Sequence, residues 1–183
     1  MTLLALVLAG ICGTTMISPG DARAEPRALA FHLPTRSSAI LAQIDRYRHE
    51  TWHWQRVMSL RPTPTNHSAS HDPSLRYRVW VRNLWRHRAA RAHVLAERVP
   101  HKREWLCIHH YEGSWGSATG NGYYGGLQMD IGFQRTYGGD LLRRKGTADR
   151  WSPIEQMWVA ERARRSGRGF FPWPNTARSC GLI

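Results

Sequence analysis

Apolar residues between Ala39 and Met58 recur at spacings of four and three: Ile40, Ile44, Tyr47, Thr51, Trp54 and Met58. That stripe predicts an amphipathic helix capped by Ser37 or Ser38. A Pro/Ser/Asn-rich linker, Arg61 to Ser74, interrupts the pattern. It resumes with Tyr77, Val81, Leu84, Trp85, Ala92 and Leu95, predicting a second helix from about Leu75 to Glu97. Two such helices read as a helical hairpin, too small to be stable alone, with a boundary at Val99-Pro100. Trp105, Ile108 and Glu112 then share one face of a further helix, which Gly113 stops. Asp130 can cap a helix from Ile131 to Tyr137, closed by Gly138-Gly139. Ser152-Pro153-Ile154-Glu155 starts another, which runs to about Arg165 and stops at Ser166-Gly167. The stretch Gly169 to Pro174 forms a rigid aromatic corner. No alternating strands appear, so the fold class is mainly α.

The hydrophobic run Leu3 to Ile17 has the length of a signal h-region, and Ala22-Arg23-Ala24 fits a small-x-small cleavage site. No Lys or Arg precedes that run, which leaves the true start codon open. Residues 1–24 are expected to be a signal peptide, 25–100 a basic helical region with its linker at 61–74, and 101–183 the main domain. No other stretch reads as a transmembrane helix, so the expected location is secreted or at the cell wall. Export removes Cys12 and leaves Cys107 and Cys180, an even pair. A disulfide between them would close a loop of about 70 residues and contribute about 2–4 kcal/mol; two buried free thiols are the alternative.

The formal charge is +13, carried mostly by arginine and dense between Arg76 and Arg103. An exported chain meets anionic wall polymers and membranes before nucleic acid, so wall polymers are the expected second partner and nucleic acid is not. A merely solvated arginine face is the plainer reading. His49-Glu50-Thr51-Trp52-His53 is a literal H-E-x-x-H on a predicted helix, with both imidazoles on one face. A zinc peptidase site needs a third ligand, and none stands at the extended spacing, where Arg56 replaces the expected Gly. The expectation is no metal and no cofactor, with the zinc metallopeptidase kept as a remote alternative.

The chemistry concentrates between Trp105 and Gly132. Glu112 ends its helix, where the macrodipole disfavours a carboxylate, and Tyr111 and nearby tryptophans can shed water from it; both suit a general acid. A loop follows that presents Trp115, Thr119, Asn121, Tyr123 and Tyr124, and then Gln128 and Asp130. Flat aromatic faces beside amides make a surface for a sugar chain.

The run Thr119-Gly120-Asn121-Gly122-Tyr123-Tyr124-Gly125-Gly126-Leu127-Gln128, with Glu112 upstream and Trp173-Pro174 before a late Cys, resembles the catalytic domain of the resuscitation-promoting factors. The resemblance covers roughly His101 to Ile183. It implies an α+β lysozyme-like fold and cleavage of the β-1,4 bond between N-acetylmuramic acid and N-acetylglucosamine in peptidoglycan by a monomer. It places the catalytic glutamate on Glu112. Trp115, Thr119, Asn121, Tyr123, Tyr124, Gln128 and Asp130 form the candidate substrate groove, with Gly125 and Gly126 permitting close packing. Two departures stand out. The family has a Cys directly before the catalytic Glu, where this chain has Tyr111. Cys107 lies one turn earlier and Cys180 later than the family's partner, so the two shifts can compensate. The competing class is a non-catalytic wall-binding module.

Overall fold

The computed structural model describes residues 35–65 and 74–183. The signal-peptide reading, Cys12 and the middle of the linker lie outside the described residues. The first helix, α1 (Arg36–Val57), starts earlier than the serines suggest. Thr35 caps it, its hydroxyl accepting the Ser38 N–H at 3.2 Å. The second helix, α2 (Leu75–Ala96), is capped by Ser74. Its buried stripe is Val81, Trp85, Ala89, Ala92 and Ala96, whereas Leu95 points outward. The alanines let the two helices approach closely at this end.

The pair does not run antiparallel as a hairpin would. Ser37 accepts a hydrogen bond from Arg78 at the start of both helices. Ile40 and Ile44 pack with Val81 and Trp85 further along. Trp54 stacks on His93, ring centroids 4.7 Å apart, near both C-terminal ends. α1 and α2 are therefore parallel. Each 22-residue helix is about 33 Å long, so the chain must travel back that far between them. Residues 58–74, about 17 of them, can span up to about 56 Å when extended. The return path is pinned where Trp52 Nε1 donates to the Thr63 carbonyl at 2.8 Å and Gln55 exchanges two hydrogen bonds with Thr63.

The remaining chain forms α3 (Lys102–Glu112), a two-stranded antiparallel sheet of β1 (Tyr123–Tyr124) and β2 (Met129–Asp130), then α4 (Ile131–Lys145), α5 (Pro153–Ala163) and α6 (Pro174–Ser179). The architecture is mainly helical with one small sheet, the fold class expected. Helix α4 does not close at Gly138-Gly139; it bends there and continues to Lys145. A Cβ at Gly138 would lie 2.6 Å from the Trp151 ring, so glycine serves close packing here and not termination. Ser152 and Glu155 form the expected capping box of α5. The turn after it widens to a π-helical turn, Arg164–Arg168, before Gly169.

One core joins these parts. Val57, Met58, Ala96 and Val99 pack in the same cluster as Trp105, Ile108, Leu127, Trp158 and Trp173. Trp158 Nε1 donates to the Ala96 carbonyl at 2.8 Å. Arg162 donates to the Val57 carbonyl at 2.8 Å, capping the C-terminus of α1 with a cation. Among the described residues no helix is long and apolar enough to cross a membrane.

Candidate active site

Glu112 is the last residue of α3, and Gly113 leaves the helix at φ 135°. Helix α3 is fixed behind it by Trp105 and Ile108, both fully buried. Cys107 and Cys180 are disulfide-bonded, with Cα atoms 6.1 Å apart, so α3 is tied to the end of α6. One turn before Cys180, the Thr176 hydroxyl donates to Glu112 Oε1 at 2.9 Å. Tyr111 is 55% exposed and is not among the residues lining the cleft over the acid, where the sequence suggested it would shed water.

A cleft of about 300 Å³ opens over the carboxylate, lined by Glu112, Asn121, Tyr123, Gln128, Pro172, Trp173, Pro174 and Asn175. A second hollow of about 140 Å³ adjoins it through Tyr123, Gln128, Pro172 and Trp173, and adds Asp130, Phe133 and Arg168. Among the described residues Glu112 is the one carboxylate in the larger cleft. Among the predicted site residues, Glu112, Asn121, Tyr123 and Gln128 thus converge, with Asp130 next door. Asp130 also caps α4, its Oδ1 accepting the Phe133 N–H at 2.7 Å.

Trp115, Thr119 and Tyr124 line neither hollow. Trp115 stacks on His109 at 3.8 Å between centroids and holds the loop from behind. Tyr124 packs against the core, and Thr119 is exposed on the loop. The sequence reading missed Pro172, Asn175 and Thr176, which enter from the C-terminal corner. The signal available for them was the Trp173-Pro174 step itself.

Buried amides hold the loop in place. Gln156 is fully buried; its Oε1 accepts the Gly126 N–H at 2.8 Å, and its Nε2 donates to the carbonyls of Trp115, Ala148 and Trp151. Gln134 bridges the Met129 carbonyl and the Ala148 N–H. Trp173 Nε1 donates to the Leu127 carbonyl at 2.7 Å. This satisfied network makes the turn between β1 and β2 rigid. It also explains the glycine pair: a Cβ would lie 2.4 Å from Gln156 at Gly125 and 2.5 Å from His109 at Gly126. Gln128 closes the turn at φ 44°, a conformation that costs a non-glycine residue about 1–3 kcal/mol. Its Nε2 donates to the Gly125 carbonyl at 2.8 Å, which holds the amide at the cleft edge.

The H-E-x-x-H residues go elsewhere. His53 Nε2 lies 3.0 Å from Glu155 Oε1, and His49 sits edge-on to Trp52. Among the described residues no cluster of three His, Cys, Asp or Glu has metal-binding geometry. Glu155 itself is fully buried. Burial pushes its carboxyl up, but hydrogen bonds from His53, Lys145 and the Ser152 N–H outweigh that and bring it to about 2. Glu161 is likewise buried and held low by Arg164 and Arg165 against the same desolvation, while Trp105 Nε1 donates to it at 3.3 Å. Both acids are structural anchors.

Residues 100–176 match the family model described as a transglycosylase-like domain. The chain is 44% identical over 66 residues to resuscitation-promoting factor RpfE of Mycobacterium tuberculosis, covering 36% of this chain and 35% of that protein. It is 39% identical over 70 residues to resuscitation-promoting factor Rpf1 of Corynebacterium glutamicum, covering 38% of this chain and 35% of that one. The chain thus spans about a third of the length of these curated relatives. Its C-terminal part is therefore similar to a transglycosylase-like domain and to a segment of these two resuscitation-promoting factors.

Proposed function

We propose that this protein is an exported enzyme that cleaves the β-1,4 bond between N-acetylmuramic acid and N-acetylglucosamine in peptidoglycan, with Glu112 as general acid. The observation that carries it is a single carboxylate in a sugar-sized cleft, gripped on one oxygen by Thr176 and faced by aromatic and amide groups. Tyr123 offers a flat face to a sugar ring, while Asn121, Gln128 and Asn175 offer amides to N-acetyl groups and hydroxyls. Asp130 and Arg168 in the adjoining hollow extend the contact along the glycan.

Glu112 gives its proton to the glycosidic oxygen as the C1–O bond breaks and C1 gains oxocarbenium character. Among the described residues no second carboxylate lines this cleft to trap C1 as a glycosyl ester. Closure then falls to the muramyl 6-hydroxyl, giving a 1,6-anhydro end, or to water, giving a reducing end. The masses of released muropeptides differ by one water and tell the two apart.

The test is Glu112→Gln assayed on purified peptidoglycan. The amide keeps the size and can still accept from Thr176 but has no acidic proton. Muropeptide release is expected to fall by about 10²–10⁴-fold, with the melting temperature unchanged. A folded variant releasing muropeptides at the wild-type rate overturns the assignment. Wild-type protein that binds the wall but releases nothing supports the binding-module reading.

A further inference from the structure

Helix α2 carries Arg76, Arg78, Arg82, Arg86, Arg88 and Arg91 and not one Asp or Glu across its 22 residues. Its apolar stripe is spent on α1 and the core, so the opposite face is open. Arg76, at the centre of that side, and Arg86 and Arg91, one on each of its flanks, are all exposed and, among the described residues, without a carboxylate partner. Trp80 stands between the first two, 57% exposed and stacked on Tyr77 at 5.7 Å between centroids. From Arg76 to Arg91 the strip runs about 22 Å at 1.5 Å per residue. Arg78, Arg82 and Arg86 follow one another four residues apart, a spacing at which like charges repel and weaken the helix that carries them. A bound polyanion reverses the sign of that interaction.

We infer that this face binds a phosphate-bearing glycopolymer of the cell wall. The guanidinium groups suit phosphate, which they can grip with two parallel hydrogen bonds. Trp80 supplies an apolar plate against which a sugar ring can lie. A helix lying in a lipid surface would need a continuous apolar outward face, and here the exposed apolar side chains, Leu75, Trp80, Val94 and Leu95, sit at the two ends and are separated by arginine. The choice of a wall polymer rests on the peptidoglycan reading above; the cationic strip itself does not. Binding there would hold the enzyme on its insoluble substrate while the cleft works.

The experiment uses the full chain and insoluble wall prepared in two forms, with its phosphodiester polymer intact and with that polymer stripped by acid. Wild-type protein should sediment with the intact wall, and stripping should weaken binding on the order of tenfold. Raising salt from about 50 to about 200 mM should weaken it to a similar degree, because bound cations release counterions from the polymer. The triple variant Arg76→Gln, Arg86→Gln and Arg91→Gln should bind the intact wall as weakly as wild type binds the stripped one, with unchanged helicity and melting. Equal binding of wild type to both walls overturns the proposal, as does undiminished binding by the triple variant. Tighter binding to anionic vesicles or to duplex DNA than to soluble poly(glycerol phosphate) overturns the choice of partner. Glu112→Gln separates this idea from the catalytic one: it should bind intact wall fully while releasing no muropeptides. Strong polymer binding by a wild type that cleaves nothing supports the inference and sinks the catalytic reading.

Discussion

Two glutamates at helix ends have opposite surroundings. Glu155 opens α5 with its carboxylate fully buried and three donors around it; Glu112 closes α3 at the wall of an open cleft. The Glu155 carboxyl is held at about 2 in the folded protein, below an ordinary value of 4.5. Its stabilisation is therefore fully present above about pH 4.5 and lost as pH falls towards 2. Linkage makes that worth about 3 kcal/mol. Melting temperature should drop across this window more steeply in wild type than in Glu155→Gln, itself less stable at neutral pH; parallel pH profiles would refute it. Thr176→Val removes the donor to Glu112 Oε1, and Thr176→Ser keeps it. A lost hydrogen bond to a charged group of about 1.5 kcal/mol predicts a rate about tenfold lower for Val, with Ser near wild type. Equal rates for Val and Ser would leave Thr176 without a positioning role. The place of Glu112 at the end of its helix was legible in sequence because Gly113 follows it directly. Thr176 was not, because it meets the acid from 64 residues away and no local pattern encodes that contact.

At the scale of elements, local signals succeeded and long-range ones failed. The capping box of α5, the Asp130 cap and the two amphipathic stripes are written in neighbouring residues. The sense of α1 against α2 is not, although the linker length carried a hint. Helical hairpins close in about 2–8 residues, and a connection of about 17 is long enough to return a strand of chain along a whole helix. The residue pattern did not locate the small sheet, because two-residue strands have no alternation to read; only the family resemblance implied β structure. The link between α3 and α6 was legible from cysteine arithmetic alone. Unfolded, unreduced protein should accordingly show almost no free thiol, whereas two labelled thiols per chain would refute the bond. Cys107→Ser with Cys180→Ser should lower stability by about 2–4 kcal/mol and loosen the Thr176 contact, so activity should fall even below the new melting point.

At the scale of the molecule, the helix pair and the cleft-bearing part share a core, and that shared core makes a prediction about truncation. Val57, Met58 and Ala96 fill the side of the core against Trp158. Without α1 and α2, Trp158 loses its acceptor on Ala96, Arg162 loses the Val57 carbonyl, and buried Glu155 loses His53. Each buried group left without its partner costs about 1–3 kcal/mol, and the uncovered apolar surface adds to that. A fragment of residues 98–183 should therefore melt well below the full chain or aggregate, although it retains every residue lining the cleft. Supplying residues 25–97 as a separate chain should restore part of the loss, because the contacts need no covalent link. Thermal denaturation followed by circular dichroism, with muropeptide release measured alongside, checks both halves. A fragment that melts with the full chain and keeps its activity would show that the helix pair is an independent attachment and that the core drawn across the two parts contributes nothing to the site.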